Sequence, residues 1–286
     1  GLLNGGLREE LYILGGIPSS GKTTFALQLA DQIAEAGEDV LFFALEQGKY
    51  ELTSKSISRL TWEEATPQER AENLPRTNIG VIDALGFKGE TDAEKKIQGL
   101  VNRSMNRYKS FSGRVRIIEA GSELTPSKMA EAVDLHMNMI GNKPVVILDY
   151  LQLLGIDNKK IIDPKPRIDQ AISDLARLCR EKLIPVIVIS SLNRDGYEKG
   201  GMANLKESGN LEYSAQVVLL LGFRRSKDSK QDLDDWIDEE SLRSPREVYV
   251  KVSKHKNAEK GKPVSFDYYA VHNRFKEIGI MERKKK

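Results

Sequence analysis

Short apolar runs rich in β-branched residues alternate with longer segments of helical periodicity along most of this chain. Six runs carry the pattern: Leu11–Gly15, Val40–Leu45, Val115–Ile118, Val145–Leu148, Val186–Ile189 and Val217–Leu221. Continuous apolar strands of this kind are typical of a parallel sheet that helices cover on both faces. The pattern therefore predicts an α/β fold with a mostly parallel central sheet.

Three of the intervening segments have clear helical signals. Thr23–Ala36 has helical spacing, and Gly37 follows it as a C-cap. Thr125–Gly141 opens with Thr-Pro and closes with glycine, as a capped helix does. Ile168–Cys179 places its apolar residues on one face before the next strand begins. The alternation of strand and helix strengthens the α/β prediction.

Two regions interrupt this rhythm, and the C-terminal part differs from the rest. Residues 61–91 contain prolines, glycines and charges, which predict a surface excursion with one short helix at most. Residues 226–246 are strongly charged and predict a solvated loop or helix between strands. Residues 248–271 alternate apolar and polar positions around a polar turn, which predicts a β-hairpin at the sheet edge.

Composition adds limits to this picture. The chain is 40% hydrophobic and 30% charged, which is ordinary for a globular protein with a large core. Its length allows one domain or two, and we favour a single domain over residues 1–286. The net charge of +2 does not by itself indicate a nucleic-acid partner. Because no long apolar run or N-terminal leader is visible, we expect a cytoplasmic protein without membrane contact. The single cysteine, Cys179, is predicted to be a buried core thiol.

A glycine-rich stretch follows the first apolar run. Residues 16–23 read GIPSSGKT and match the phosphate-loop pattern G-x-x-x-x-G-K-[ST] between a strand and a helix. Glycine is needed where such a loop approaches phosphate oxygens, because a Cβ would clash there. Lys22 would then reach the β and γ phosphates of ATP, and Thr23 would bind Mg²⁺. The alternative is a glycine turn with a merely exposed lysine. The candidate ATP-binding residues are Gly16, Pro18, Ser19, Ser20, Gly21, Lys22, Thr23 and Thr24.

Hydrolysis also needs a carboxylate that orders the metal and a group that orients or deprotonates water. Asp149 ends a buried strand at the edge where open α/β sheets bind ligands, so it is the candidate second Mg²⁺ ligand. Glu46 ends another strand and is the candidate for the water. With Lys22 these residues form the candidate catalytic set. Each carboxylate also has a structural alternative: Asp149 as a turn cap, and Glu46 as a surface residue that begins a helix.

Longer strings resemble the DnaB-type replicative helicases over nearly the whole chain. Residues 42–46, FFALE, resemble the strand that carries that family's catalytic glutamate, and residues 148–153, LDYLQL, resemble its Asp-Tyr-Leu-Gln signature. Residues 190–194, SSLNR, resemble its Ser-Gln-Leu-Asn-Arg motif, and residues 205–212 its Leu-Arg-Glu-Ser-Gly segment. Residues 254–257, KHKN, are similar to the Lys-x-Arg-Asn element that projects into a neighbour's ATP site.

The resemblance implies a RecA-like phosphate-loop ATPase fold and a homo-oligomeric ring, such as a hexamer, with ATP at the subunit interfaces. It implies single-stranded DNA in the central channel, and a primase or helicase loader as a further partner. It also implies that Lys254 and Lys256 are catalytic, because a cation from the neighbour would neutralise charge on the transferred phosphoryl group.

The sequence departs from the family pattern at two positions. Ser191 stands where the family has a glutamine that senses the γ-phosphate, and its side chain is too short for that span. Lys256 stands where the family has an arginine finger, and a lysine lacks the planar bidentate fork. We therefore predict hydrolysis that is slower or differently tuned. The family's primase-interacting domain has no counterpart before Gly16, so we expect an excised fragment or a shorter relative.

The loops that follow the strands ending at Asp149 and Ser190 would line the DNA channel. Basic side chains there would give salt-sensitive binding that is largely independent of DNA sequence. For each one, a solvated surface charge is the alternative. The candidate DNA-binding residues are Lys159, Lys160, Arg167, Arg194 and Lys199.

The leading hypothesis is an ATP-driven motor that translocates on DNA. Two other classes remain open: a RecA-like ATPase that loads or recombines DNA without unwinding, and a regulatory subunit that hydrolyses ATP slowly. The departures at Ser191 and Lys256 are compatible with both.

Overall fold

A single mixed sheet of nine strands forms the centre of the described part of the molecule. The computed structural model describes residues 3, 5–158, 160–161, 163–191, 214–223, 231–257, 259 and 261–280. The strands are β1 (Leu11–Gly16), β2 (Val40–Ala44), β3 (Val115–Glu119), β4 (Val145–Asp149), β5 (Val186–Ser191), β6 (Val217–Phe223), β7 (Arg246–His255), β8 (Val264–Tyr269) and β9 (Arg274–Ile280). Their order is β3-β2-β4-β5-β1-β6-β7-β8-β9. The first six in that order are parallel, and β7, β8 and β9 are antiparallel to their neighbours.

The helices of the described residues connect these strands. They are α1 (Lys22–Glu35), α2 (Lys49–Glu64), α3 (Pro67–Ala71), α4 (Asn78–Leu85), α5 (Asp92–Ser112), α6 (Pro126–Ile140), α7 (Pro164–Lys182) and α8 (Leu233–Leu242). The three helices predicted from periodicity are α1, α6 and α7, and all are confirmed. At α6 the Thr125 hydroxyl accepts a hydrogen bond from the Lys128 N–H, and Gly141 ends the helix at a φ of 85°. Within the described residues, no helix has both the length and the apolar character that a bilayer crossing requires.

The parallel strands form the hydrophobic core. Every residue of β1, β2, β4 and β6 is buried, which explains why these strands are apolar without alternation. Cys179 lies in the same core, only 1% exposed, and its thiol donates a hydrogen bond to the Ile184 carbonyl. Burial raises the pKa of this thiol to about 12. The predictions of a parallel sheet and of a buried cysteine are therefore confirmed.

The prediction of at most one short helix in residues 61–91 is wrong, because α3 and α4 both lie there and α2 extends into it. Thr66 and Glu69 form a reciprocal capping box at the start of α3, and Pro67 occupies its first turn. The Thr77 hydroxyl caps α4 in the same manner. The prolines and polar residues that were interpreted as loop signals instead begin helices.

Two predictions near the C-terminus need correction. The hairpin of β7 and β8 is present, but β9 adds a third antiparallel strand that was not predicted. Part of 226–246 is the helix α8, which is not wholly solvated because Trp236 and Ile237 are buried. The Trp236 ring packs edge-on against Phe223, with ring centroids 6.2 Å apart.

Candidate functional site

The loop between β1 and α1 has a backbone that depends on its two glycines. Gly21 has a φ of 87° and Ser19 a φ of 60°, both in the left-handed region. A Cβ on Gly21 would lie 2.8 Å from a ring carbon of Tyr268. A Cβ on Gly16 would lie 2.8 Å from the Leu221 carbonyl oxygen. Gly21 is required for its positive φ and for the close contact with Tyr268, and Gly16 is required for the close contact with Leu221. Substitution at either position would therefore distort the loop.

The loop is organised around one carbonyl oxygen. Ile17 O accepts hydrogen bonds from Ser20 Oγ at 2.9 Å and from Lys22 Nζ at 2.8 Å. Ser20 is fully buried, whereas Pro18 and Ser19 are exposed at the loop tip. The Lys22 side chain therefore folds back over the loop, and its ammonium group contacts the Ile17 carbonyl.

Asp149 lies buried beside the start of α1, with 1% of its surface exposed. Burial raises its pKa to about 6, while a hydrogen bond from the Thr23 hydroxyl and the charges of Lys22 and Lys55 act to lower it. The nearby Glu46 carboxylate contributes to the raised value. Asp149 Oδ2 has no hydrogen-bond partner among the described residues. A buried carboxylate oxygen without a partner is costly and indicates a position where a cation or a polar ligand atom can bind.

The strand register brings the carboxylates together at the carboxyl ends of the parallel strands. Ala44 in β2 is aligned with Asp149 in β4 and with Glu119 in β3. Glu46 follows β2 on the same edge, and its side chain is exposed. Glu119 Oε1 accepts a hydrogen bond from the Lys49 N–H at 2.5 Å, which holds the first residue of α2 next to this edge. The structure thus brings together Lys22, Thr23, Asp149 and Glu46.

Aromatic residues from the C-terminal strands support the phosphate loop, and the sequence analysis did not predict them. The rings of Tyr268 and Phe275 stack with centroids 4.2 Å apart, and both would meet a Cβ placed on Gly21. The hydroxyls of Tyr268 and Thr24 share a hydrogen bond. Because these residues lie more than two hundred positions beyond the loop, no local spacing could have indicated the contact.

Two basic residues near the loop were also missed. Arg246 lies over the ring of Tyr268 at 5.5 Å, and its Nη1 donates a hydrogen bond to the Ser19 carbonyl at 3.4 Å. Lys55 on α2 donates to Gln47 Oε1 at 2.8 Å and lies close enough to Asp149 to lower its pKa. Neither belongs to a motif, so only the fold reveals them.

Lys254 and Lys256 lie near the amino ends of the parallel strands, whereas their own phosphate loop lies at the carboxyl ends. Gly16 is aligned with Leu221 near the end of β6, whereas Lys254 and Lys256 lie next to the beginning of β6, around Val217. The separation between Val217 and Leu221 is four residues of strand, roughly 13 Å. These two lysines therefore do not converge with the loop of their own chain.

The candidate DNA-binding residues are only partly described. Lys160 is exposed, and Arg167 is half-buried on α7 with its Nη2 donating to the Gln152 carbonyl at 3.1 Å. Lys159, Arg194 and Lys199 lie outside the described residues, as does the 205–212 segment. DNA contact by these residues stays a prediction.

The strand, glycine loop and helix, together with a buried aspartate on a nearby strand, define a phosphate-loop nucleotide-binding protein. The family model of the DnaB-like helicase C terminal domain matches residues 1–277. The chain belongs to that family.

Individual relatives agree with this assignment. The chain is 26% identical to the replicative DNA helicase DnaB of Haemophilus influenzae over 222 residues, which cover 74% of this chain and 42% of that protein. It is 24% identical to the replicative DNA helicase DnaC of Bacillus subtilis over 274 residues, covering 94% and 52% respectively. The chain thus spans about half the length of these relatives.

The fold is also shared with solved structures. A structure of a DnaB-like replicative helicase, described with its interactions with primase, superposes with a TM-score of 0.72 at 24% identity. The match covers 94% of this chain and 57% of that one. At this identity the comparison establishes the fold, which is the predicted RecA-like arrangement.

Proposed function

We propose that this chain is the ATP-hydrolysing motor domain of a DnaB-like replicative helicase that moves along single-stranded DNA within a ring-shaped homo-oligomer such as a hexamer. The buried Asp149 carboxylate carries the proposal, because it is hydrogen-bonded to Thr23 and keeps Oδ2 without a partner beside the phosphate loop. Family membership over residues 1–277 supports it independently.

The residues at this edge suit a nucleotide with Mg²⁺. Hydroxyl and carboxylate oxygens are the ligand types that Mg²⁺ prefers, and Thr23 and Asp149 supply one of each. A side chain at Gly16 or Gly21 would displace the loop that is proposed to bind the phosphates, because its Cβ would meet the Leu221 carbonyl oxygen or the Tyr268 ring. Bound Mg²⁺ would neutralise negative charge on the β and γ phosphates. Thr23 and Asp149 are therefore the residues proposed to hold the metal.

The remaining loop residues are assigned to the phosphates. Lys22 would exchange its hydrogen bond to the Ile17 carbonyl for phosphate oxygens, while the N–H groups of residues 19–24 supply further donors. Glu46 is exposed at the same edge as the buried Asp149, so it is accessible to the water that attacks the γ-phosphate. We assign to Glu46 the orientation of that water and the acceptance of its proton.

Lys254 and Lys256 are assigned to the ATP site of a neighbouring subunit. They lie near the amino end of β6, whereas their own phosphate loop lies near its carboxyl end, and this separation supports a role in trans. A cation inserted by a neighbour stabilises charge that develops on the transferred phosphoryl group, so hydrolysis depends on assembly. Single-stranded DNA is the proposed partner of Lys159, Lys160, Arg167, Arg194 and Lys199, with a primase or loader as a further partner.

One experiment tests the proposal against its alternatives. ATP turnover is measured with and without single-stranded DNA, at several salt concentrations, and fork unwinding is measured in parallel. The motor proposal expects turnover that DNA stimulates, a steep salt dependence of DNA binding and ATP-dependent unwinding. DNA stimulation without unwinding would favour a loading or recombination module. Slow turnover that ignores DNA would favour a regulatory ATPase.

A further inference from the structure

Gln152 occupies a junction between three parts of the molecule. It lies in the 3-10 turn Leu151–Leu153, directly after the strand that carries Asp149. Its amide Nε2 donates a hydrogen bond to Ser190 Oγ at 3.1 Å, and its backbone carbonyl accepts one from Arg167 Nη2 at 3.1 Å. One residue therefore touches both the end of β5 and the first turns of α7.

Through β5 this junction reaches the phosphate loop. The parallel register aligns Ser190 with Gly15 and Ser191 with Gly16. Ser190 is fully buried, so its hydroxyl is fixed by its surroundings rather than by solvent. A shift of the Ser190 side chain would therefore displace atoms next to Gly16, the residue at which the phosphate loop begins.

The junction contains two buried polar atoms that lack partners. Gln152 Oε1 and Arg167 Nε each have almost no solvent contact and no hydrogen bond among the described residues. Buried groups of this kind are rare in folded proteins, and leaving one without a hydrogen bond is costly. A rearrangement of the junction that gives these two atoms hydrogen-bond partners would remove this cost.

We propose that Gln152 is a positioning residue that transmits DNA binding at Arg167 to the phosphate loop through Ser190. The inference rests on the proposed function and deepens it. A DNA phosphate that engages the Arg167 guanidinium would weaken its bond to the Gln152 carbonyl. The turn could then move, and the Gln152 amide would change its hold on Ser190. Ser191 is too short to connect strand end and phosphate directly, so this junction supplies an alternative connection.

The test compares turnover with and without DNA in the full 286-residue chain. Gln152→Met keeps a side chain of similar length but removes both amide hydrogen-bonding groups. We expect basal ATP turnover within about twofold of the unsubstituted chain, while stimulation by a thymidine oligonucleotide falls about fivefold, as expected for one lost hydrogen bond. DNA affinity, measured by fluorescence anisotropy, should stay within about twofold, since no phosphate contact is removed.

A second variant and a matched control isolate the junction. Ser190→Ala should reproduce the loss of stimulation, and the double variant should be no worse than either single one, because both remove the same contact. Gln170→Met is the control. Gln170 lies on α7 and donates to Asp174 Oδ2 at 3.0 Å, so its loss should leave stimulation intact.

Two outcomes would overturn the inference alone. One is full DNA stimulation in both Gln152→Met and Ser190→Ala. The other is an equal loss of basal and stimulated turnover, which would assign these residues to folding instead. An unsubstituted chain that hydrolyses ATP but ignores DNA would contradict the motor function itself, and this inference with it.

Discussion

The two ends of the parallel strands carry different groups of residues that are proposed to act in one type of ATP site. The carboxyl-end edge of the parallel strands holds the phosphate loop, Asp149 and Glu46, whereas the amino-end edge holds Lys254 and Lys256. In the proposed mechanism the first group supplies the phosphate loop and the acids, and the second supplies cations to a neighbouring subunit. Such a site would be complete only in a head-to-tail contact with another copy, the type of interface that can close into a ring.

Residues 256–257, in and next to the lysine pair, are hydrogen-bonded to residues near the start of β1 and β6. Asn257 Nδ2 donates to Glu10 Oε1 at 2.5 Å, and the Lys256 N–H donates to the Gln216 carbonyl at 2.9 Å. Glu10 directly precedes β1, whose far end begins the phosphate loop. The residues next to the lysine pair are therefore hydrogen-bonded near the start of the strand whose other end begins the phosphate loop.

The largest expected effect is at the carboxyl-end edge. Lys22→Ala should lower ATP turnover about 10³-fold, because a cation that contacts the phosphates in the transition state is lost. The measurement is steady-state phosphate release with saturating ATP and Mg²⁺. Lys95→Ala, on an exposed surface of α5, is the control and should change turnover less than twofold. Normal turnover in Lys22→Ala would refute the site assignment.

The next effect tests the amino-end edge. Lys256→Ala should lower turnover about 10²-fold while leaving nucleotide binding nearly unchanged, because in the proposed mechanism its charge acts on the transition state in a neighbouring subunit. Mixing Lys256→Ala with Lys22→Ala chains should restore part of the turnover, since mixed assemblies contain some interfaces with both intact residues. Light scattering with ATP and Mg²⁺ checks for assembly. A monomer with full activity would contradict the proposal that Lys256 acts in the ATP site of a neighbouring subunit.

A third prediction concerns stability at the carboxyl-end edge. The pKa of Asp149 is raised from 3.8 to about 6, so the folded chain binds more protons than the unfolded chain between these values. The free energy of unfolding should therefore fall as pH rises through this window. Asp149→Asn should abolish turnover yet raise the free energy of unfolding at pH 7 by about 3 kcal/mol in the absence of Mg²⁺ and nucleotide.

Urea denaturation at pH 5 and pH 7.5, with a chelator present, measures this difference. The gain from Asp149→Asn should be about half as large at pH 5, where the carboxyl group is mostly protonated in the folded chain but mostly ionised in the unfolded chain, and it should shrink further as the pH falls below 3.8. An Asp149→Asn chain that is destabilised at both pH values would show that the carboxylate is paired and satisfied in the metal-free state.

The smallest effect tests the support of the loop by β8. Tyr268→Phe keeps the ring against Gly21 and removes only the hydroxyl that bonds with Thr24, so turnover should fall two- to fivefold. Gln28→Ala is the matched control, because Gln28 bonds the Phe275 backbone farther along α1. It should lower the melting temperature without changing the turnover number. If both variants behave alike, Tyr268 contributes only to stability.

Local sequence patterns determined much of this fold. The six parallel strands were predictable within a few residues because burial on both faces leaves a continuous apolar signal. At most one short helix was predicted where α3 and α4 lie, since Pro67 and the nearby glycines resemble loop signals unless the threonine caps are recognised. The strand β9 was missed because its charged residues and Gly279 hide a weak alternation on an edge strand.

The candidate site shows the same division between local and distant information. Lys22, Thr23 and Asp149 were predictable because each belongs to a motif with a defined strand or helix context. The contacts of Arg246 and Tyr268 with the loop were not, because they depend on how an antiparallel extension folds back across the sheet. Likewise, the junction at Gln152 becomes visible only when hydrogen-bond partners are assigned.

The single cysteine has a practical consequence for watching this molecule at work. Cys179 is enclosed by the core, and its high pKa keeps it in the unreactive thiol form at neutral pH. A cysteine introduced on an exposed helix would then be the one thiol that maleimide dyes modify in the folded chain. Distances between dye-bearing copies could be followed during ATP turnover without replacing any native residue in the interior.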